Sequence, residues 1–172
     1  MSTADREKDS AFKRRLSFTG YRFAVLYAEW NQEITHALRD GCVETLKMNG
    51  VGEDHIGTIA VPGSFELASA ASMFARNESV DAVICLGCVI QGETRHFDFI
   101  CQAVADGLAR VGMEECKPVI FGVLTTNTQE QALERAGGKL GNKGSEAALA
   151  ALQMLEVQEQ ARVFPRNIMP NE

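Results

Sequence analysis

The sequence predicts an α/β fold with a parallel central sheet covered by helices on both faces. Three observations carry that prediction. Apolar, β-branched runs alternate along the chain with segments of helical periodicity. The stretches between successive runs are too long for hairpins, which implies βαβ units and parallel strands. Each run also ends in a polar or turn-forming group, namely Glu29-Trp30-Asn31, Pro62-Gly63-Ser64, Gln91-Gly92-Glu93 and Thr126-Asn127-Thr128, and open α/β sheets hold their ligands beyond the carboxyl ends of their strands.

In chain order, residues 1–12 are polar and expected to be disordered, and Arg14 to Thr19 reads as a short edge strand before the turn at Gly20. Tyr21 to Ala28 is aromatic and β-branched enough for the first central strand. A helix follows from Gln32 to Met48, with Ile34, Leu38, Val43 and Leu46 on its apolar side and Gly50 and Gly52 closing it. His55 to Val61 is the second strand. Pro62-Gly63 turns the chain into an amphipathic helix marked by Phe65, Leu67, Ala70 and Phe74, with Glu66 in its first turn.

The third strand is the apolar run from Val83 to Ile90, and its helix extends from His96 to about Val111 through Ile100, Val104 and Leu108. Pro118 to Thr125 is the fourth strand. A helix from Gln129 to Arg135 stops at Gly137-Gly138, and Gly141-Asn142-Lys143-Gly144 separates it from a final alanine-rich helix, Ser145 to about Glu159. Residues 13–160 thus read as one domain and 161–172 as a tail.

The 172 residues are 45% hydrophobic and 23% charged, enough for a sizeable core in one domain. A net charge of −6 argues against non-specific binding to nucleic acid or an anionic membrane, so small molecules or other subunits are the expected partners. No apolar run approaches the roughly 20 residues that span a bilayer. Met1 to Arg15 has no signal-peptide core, and the cytoplasm is the expected compartment. The odd number of cysteines (Cys42, Cys85, Cys88, Cys101 and Cys116) suits buried reduced thiols. Cys85 and Cys88 have C-x-x-C spacing, but three positions apart in a strand they face opposite ways, and no second Cys/His pair sits at metal spacing.

The most informative stretch is Val83 to Asp98, a strand running through a tight polar loop into a helix N-terminus. The first N–H groups of a helix lack intrahelical partners and the dipole there favours an anion, so a phosphate is the natural guest. Gly92 lets the backbone turn and Thr94 adds a hydroxyl. The spacing from Gly87 to Gly92-Glu93-Thr94 nearly forms a P-loop, but Glu93 stands where that motif needs lysine, which argues for a single phosphate rather than a nucleotide. His96, in the first turn of the same helix, is the candidate general acid/base. Trp30, the single tryptophan, suits stacking on a planar heterocycle or packing in a core or interface. Glu66 either complements a helix dipole or accepts hydrogen bonds from ligand hydroxyls. Arg135 and Lys143 flank a glycine-rich turn and either share an anion or pair with neighbours such as Glu146.

Trp30-Asn31, Val61 to Leu67, Gly87 to Asp98, Phe121 to Thr125, and Glu134 to Gly137 through Gly141 to Gly144 stand in an order and spacing that closely resembles the lumazine synthase family of riboflavin biosynthesis. The resemblance covers roughly Tyr21 to Leu155. It implies a flavodoxin-like three-layer sandwich with a four-stranded parallel sheet, and active sites between subunits of a homopentamer. The implied reaction joins 5-amino-6-(ribitylamino)uracil to 3,4-dihydroxy-2-butanone 4-phosphate, giving 6,7-dimethyl-8-ribityllumazine, with no cofactor or metal.

By the same resemblance, Trp30 stacks on the pyrimidine, Ser64 and Glu66 bind the ribityl chain, and Val89 and Ile90 lie against the uracil edge. Gly92, Glu93 and Thr94 cradle the phosphate, and His96 shuttles protons. Arg135 binds phosphate from the neighbouring subunit, with Phe121 packing from that side and Lys143 close by. Three positions depart from the commonest family pattern: Trp30 replaces phenylalanine, Ser64 replaces alanine, and Gln91 replaces arginine or lysine, which lowers the local positive charge. The compact stretch from Ala136 to Asn142 is compatible with a 60-subunit icosahedral shell. The resemblance leaves open the choice among pentamer, decamer and shell, and an association with riboflavin synthase. Two other readings share the fold: a non-catalytic module that binds a flavin through Trp30 and the Thr94 turn, and a phosphate-metabolite enzyme using Lys143 as a Schiff-base nucleophile.

Overall fold

The computed structural model describes residues 16–164. Residues 1–12, expected to be disordered, and most of the expected tail, 165–172, lie outside the described residues. The chain alternates β1 (Phe23–Ala28), α1 (Gln32–Met48), β2 (Ile56–Val61), α2 (Leu67–Ala75), β3 (Ala82–Ile90), α3 (His96–Glu114), β4 (Val119–Thr126), α4 (Gln129–Leu133), β5 (Ala136–Gly138), β6 (Gly141–Asn142) and α5 (Lys143–Val163). The main sheet is four-stranded with order β2-β1-β3-β4, and each pairing in it is parallel. That is the predicted flavodoxin-like sandwich.

The β1 and β3 strands occupy the centre because their sequences allow burial on both faces. The run AVICLGCVI in β3 is buried from Ala82 through Cys88, as a strand covered on both sides requires. Alternation sorts its side chains into two cores. Ile84, Leu86 and Cys88 join Val25, Ile34, Leu38, Leu46, Ala148 and Leu152 under α1 and α5. Val83 and Cys85 join Ala24, Leu26, Leu67, Ala71, Val104 and Leu108 under α2 and α3. Cys85 and Cys88 therefore belong to opposite cores, and the C-x-x-C spacing makes no pair. Among the described residues, no helix is long and apolar enough to cross a membrane.

Helix α1 buries Ile34, Thr35, Leu38, Cys42, Thr45 and Leu46, a stripe at three- and four-residue spacing. It ends where Gly50 takes a φ of 88°, with the Gly50 N–H donating to the Lys47 carbonyl and the Val51 N–H to the Leu46 carbonyl. This is the Schellman arrangement that favours glycine. Helix α3 ends similarly, with the Lys117 N–H reaching the Gly112 carbonyl, but there Cys116 holds the left-handed position at φ 47°.

Several boundaries differ from the sequence expectation. Leu16 to Thr19 forms no strand, so the expected edge strand is absent there, and Arg14 and Arg15 fall outside the described residues. Helix α2 begins at Leu67 because Ser64, Phe65 and Glu66 form a turn, which places Glu66 at the N-cap instead of in the first turn. Helix α5 continues to Val163, beyond the expected end at Glu159. Its start is fixed by Asn142, whose Oδ1 accepts from the N–H groups of Gly144 and Ser145. The small antiparallel β5–β6 hairpin occupies what reads in sequence as a glycine-rich loop.

The cysteines divide by environment. Cys42, Cys85 and Cys88 are buried, whereas Cys101 is half-buried and Cys116 exposed, so the reading of the cysteines as core residues fails for Cys116. Burial pushes the Cys42 thiol up to about 12 and the Cys88 thiol up to about 11, and raises Cys85 as well. These thiols stay protonated and unreactive at ordinary pH. A thiol reagent at mildly alkaline pH is expected to modify Cys116 first and Cys101 more slowly, and the other three only on unfolding. Mass spectrometry of a labelling time course checks this order.

Candidate active site

Strand ends and loops converge at the carboxyl edge of the sheet. The Glu29 N–H donates to the Val61 carbonyl at 2.8 Å, joining the ends of β1 and β2, and the Gln91 N–H donates to the Thr126 carbonyl at 2.9 Å, joining β3 and β4. Asn31 spans the gap between β1 and β3, its Nδ2 donating to the Cys88 carbonyl at 3.1 Å. Between these tied ends the order reverses direction, since β1 is followed on one side by β2 and on the other by β3. Such a switch point is where a doubly wound sheet opens a crevice.

Trp30 stands on this edge with 73% of its surface exposed. A Cβ built on Gly63 would lie 3.1 Å from Glu66 Oε2 and 3.3 Å from Trp30 Cδ1, so the carboxylate and the indole converge over that glycine. Ser64 is buried and leans on β3, its Oγ only 2.6 Å from where a Cβ on Gly87 would be. Among the described residues, that hydroxyl has no hydrogen-bond partner. Val89 and Ile90, half-buried, complete the β3 end.

Beyond β3, Gly92, Glu93, Thr94 and His96 are all exposed. The Thr94 Oγ1 accepts a long hydrogen bond, 3.4 Å, from the His96 N–H at the start of α3. Gly92 is not required by the chain's own packing, because nothing lies within 4 Å of its would-be Cβ and its φ is outside the left-handed region. Among the described residues, the space above Gly92 is open. The turn also offers neither a lysine nor an enclosed loop for a polyphosphate.

Trp30, Ser64, Glu66, Val89, Ile90, Gly92, Glu93, Thr94 and His96 therefore share one edge, whereas Phe121, Arg135 and Lys143 do not join them. Phe121 pairs with Cys85 in the middle of β4, four positions before the Thr125–Val89 pair. Four strand residues put Phe121 about 13 Å below the level of that pair. Arg135 and Lys143 bracket the β5–β6 hairpin, the Lys143 N–H donating to the Arg135 carbonyl at 2.8 Å. The hairpin packs on α1 through Asn142, whose Nδ2 donates to the Ala37 carbonyl at 2.9 Å. That is the face opposite Ser64 and Leu67. The Arg135 guanidinium donates to the Gln131 carbonyl at 2.8 Å, and the Lys143 ammonium pairs with Glu146 at 2.5 Å.

Two residues at the edge were not singled out by sequence as functional: Asn31 and Gly87. Gly87 carried a readable signal, since a glycine inside an apolar strand marks a close approach. A separate groove between α1 and β2 is lined by Arg39, Asp40, Glu44, Lys47 and Glu53, but its cations are already paired, Arg39 with Asp40 at 2.7 Å and Lys47 with Glu53 at 2.6 Å. Among the described residues, no group of three or more His, Cys, Asp or Glu gathers as a metal cluster.

A four-stranded parallel sheet with this strand order and helices on both faces defines an α/β protein of the flavodoxin-like class. Sequence comparison gives the narrower assignment. The chain belongs to the 6,7-dimethyl-8-ribityllumazine synthase family, whose sequence model matches residues 20–159. It is 54% identical over 155 residues to the 6,7-dimethyl-8-ribityllumazine synthase of Cytophaga hutchinsonii, covering 90% of this chain and 98% of that protein. Proteins of the same name from Bacteroides fragilis and Porphyromonas gingivalis are 50% and 52% identical, over 78% and 77% of this chain and 94% and 83% of their own lengths. The family resemblance carried by the motifs is borne out, and with it the reading of the chain as an enzyme.

Proposed function

We propose that this chain condenses 5-amino-6-(ribitylamino)uracil with 3,4-dihydroxy-2-butanone 4-phosphate to 6,7-dimethyl-8-ribityllumazine, releasing phosphate and water. The observation that carries this reading is the convergence of Trp30 and Glu66 over Gly63, with Ser64 against β3, on the sheet edge that also bears the exposed Gly92-to-His96 turn, in a chain of this family. Trp30 stacks on the pyrimidine, and Ser64 and Glu66 bind the ribityl hydroxyls. Val89 and Ile90 line the uracil edge, and Gly92, Glu93 and Thr94 hold the phosphate. His96 moves protons as the imine forms, phosphate leaves and the ring closes.

This equipment is sparse because the substrates bring the amine nucleophile and the phosphate leaving group themselves. Holding two reactants in register contributes on the order of 7–11 kcal/mol in favourable cases. The Schiff-base alternative loses ground, since Lys143 has a carboxylate neighbour at 2.5 Å and is part-exposed, whereas a nucleophilic lysine needs burial or a cationic neighbour.

Phe121, Arg135 and Lys143 complete the site from a neighbouring copy. The exposed Trp30, Phe65, Phe99 and Phe121 favour such a neighbour, because exposed aromatic surface of this kind marks an interface. Two different patches meeting head to tail make a ring when the rotation between copies closes, and the family reading of that ring is a pentamer in the cytoplasm, alone or within a 60-subunit shell. An association with riboflavin synthase, which would consume the lumazine, belongs to the same reading.

The test is the absorbance of the lumazine formed from the two substrates, corrected for the uncatalysed condensation. Product formation well above background supports the assignment. A rate at background for the wild-type chain overturns it and leaves the flavin-binding module.

A further inference from the structure

We propose that Asn31 is a positioning residue that holds Trp30 over the pyrimidine subsite by combining a left-handed backbone with a cross-strand tie. Its φ of 61° and ψ of 48° place it in the left-handed region, which asparagine tolerates better than most side chains because it hydrogen-bonds locally. Asparagine is also a favoured helix N-cap. Here, at the N-cap of α1, its side chain makes no capping bond and instead donates to the Cys88 carbonyl of β3 at 3.1 Å.

The consequence is geometric. The left-handed step sets the direction in which the chain leaves Trp30, and the amide pins that step to the strand carrying Val89 and Ile90. On the other side, the Glu29 N–H is bonded to the Val61 carbonyl. Trp30 thus hangs between two anchored points although its ring is 73% exposed, and an exposed ring without such anchors samples many orientations. Sparsely populated backbone conformations of this kind persist where surrounding structure enforces them, and they cluster at ligand sites.

This inference rests on the reading of Trp30 as the stacking surface, and the two arms of its test separate the two. Trp30 is the single tryptophan, so its fluorescence anisotropy reports ring mobility in the free protein, whatever the chain catalyses. Asn31→Gly keeps the left-handed region open at no steric cost but removes the tie. Asn31→Asp keeps the shape and turns the donor into an acceptor facing a carbonyl. Both are expected to keep the far-UV circular dichroism of the wild type and to lower the Trp30 anisotropy.

In steady-state kinetics, both are expected to raise KM for the pyrimidine substrate about tenfold, the loss corresponding to one misplaced contact, with less than about a twofold change in KM for the phosphate substrate. Unchanged anisotropy in both variants overturns the proposal, as does an equal rise in both KM values. Lower anisotropy in a protein whose wild type forms no lumazine keeps the positioning role and sinks the functional reading instead.

Discussion

Alanine at position 144 is expected to destabilise the protein by about 3 kcal/mol or more, a loss that is large against a total stability of about 5–15 kcal/mol. The reason is a backbone-to-backbone contact between the first and last helices. A Cβ on Gly144 would lie 1.9 Å from the Leu38 carbonyl oxygen and 2.6 Å from its carbon. Neither atom is the movable end of a side chain. The neighbourhood is also locked, with Ser145 Oγ donating to the Gly41 carbonyl at 3.0 Å and Asn142 Nδ2 to the Ala37 carbonyl at 2.9 Å. Relief therefore requires α5 to shift away from α1, and with it Ala147, Ala148, Ala151 and Leu152 leave their core. Urea unfolding at matched protein concentration measures the effect through the midpoint. Gly20→Ala is the control, since nothing among the described residues lies within 4 Å of a Cβ there, and its midpoint is expected to stay close to the wild type.

His96→Ala is expected to lower kcat on the order of 10²-fold with little change in either KM, the low end of what a positioned acid/base contributes. The low end applies because His96 is exposed in the single chain and the substrates supply both nucleophile and leaving group. In the proposed reaction its role is proton transfer in the transition state, and a loss made only there falls on kcat. Steady-state rates with each substrate varied in turn separate the two parameters. A tenfold rise in the KM of the phosphate substrate with kcat unchanged would instead make His96 a phosphate ligand.

Much of this architecture is legible in the sequence because the relevant signals are local. The unbroken apolar run of β3 and the spaced stripe of α1 each identify one element and the surface it buries. The small elements are less legible: β5 and β6 have three and two residues, too few for a period, and their pairing follows from contact with α1. The turn of Ser64 to Glu66 delays α2 because Ser64 sinks against Gly87, a tertiary contact invisible to helical periodicity. Likewise, turn chemistry at the strand ends points to Trp30, Glu66, Thr94 and His96. That Phe121, Arg135 and Lys143 lie elsewhere in the same chain depends on sheet register and on the packing of the hairpin. Periodicity reports which face of an element is buried, but not which copy of the chain a residue serves.

The division of these residues is the centre of the functional proposal, and mixing two impaired variants tests it directly. His96→Ala and Arg135→Ala proteins are unfolded together, refolded at equal ratio and assayed for lumazine formation against each variant refolded alone. If each site takes His96 from one copy and Arg135 from the next around a closed ring, about a quarter of the sites regain both residues, and activity rises well above the mean of the two parents. Activity equal to that mean, in mixtures shown by mass spectrometry to contain both chains, would contradict a shared site.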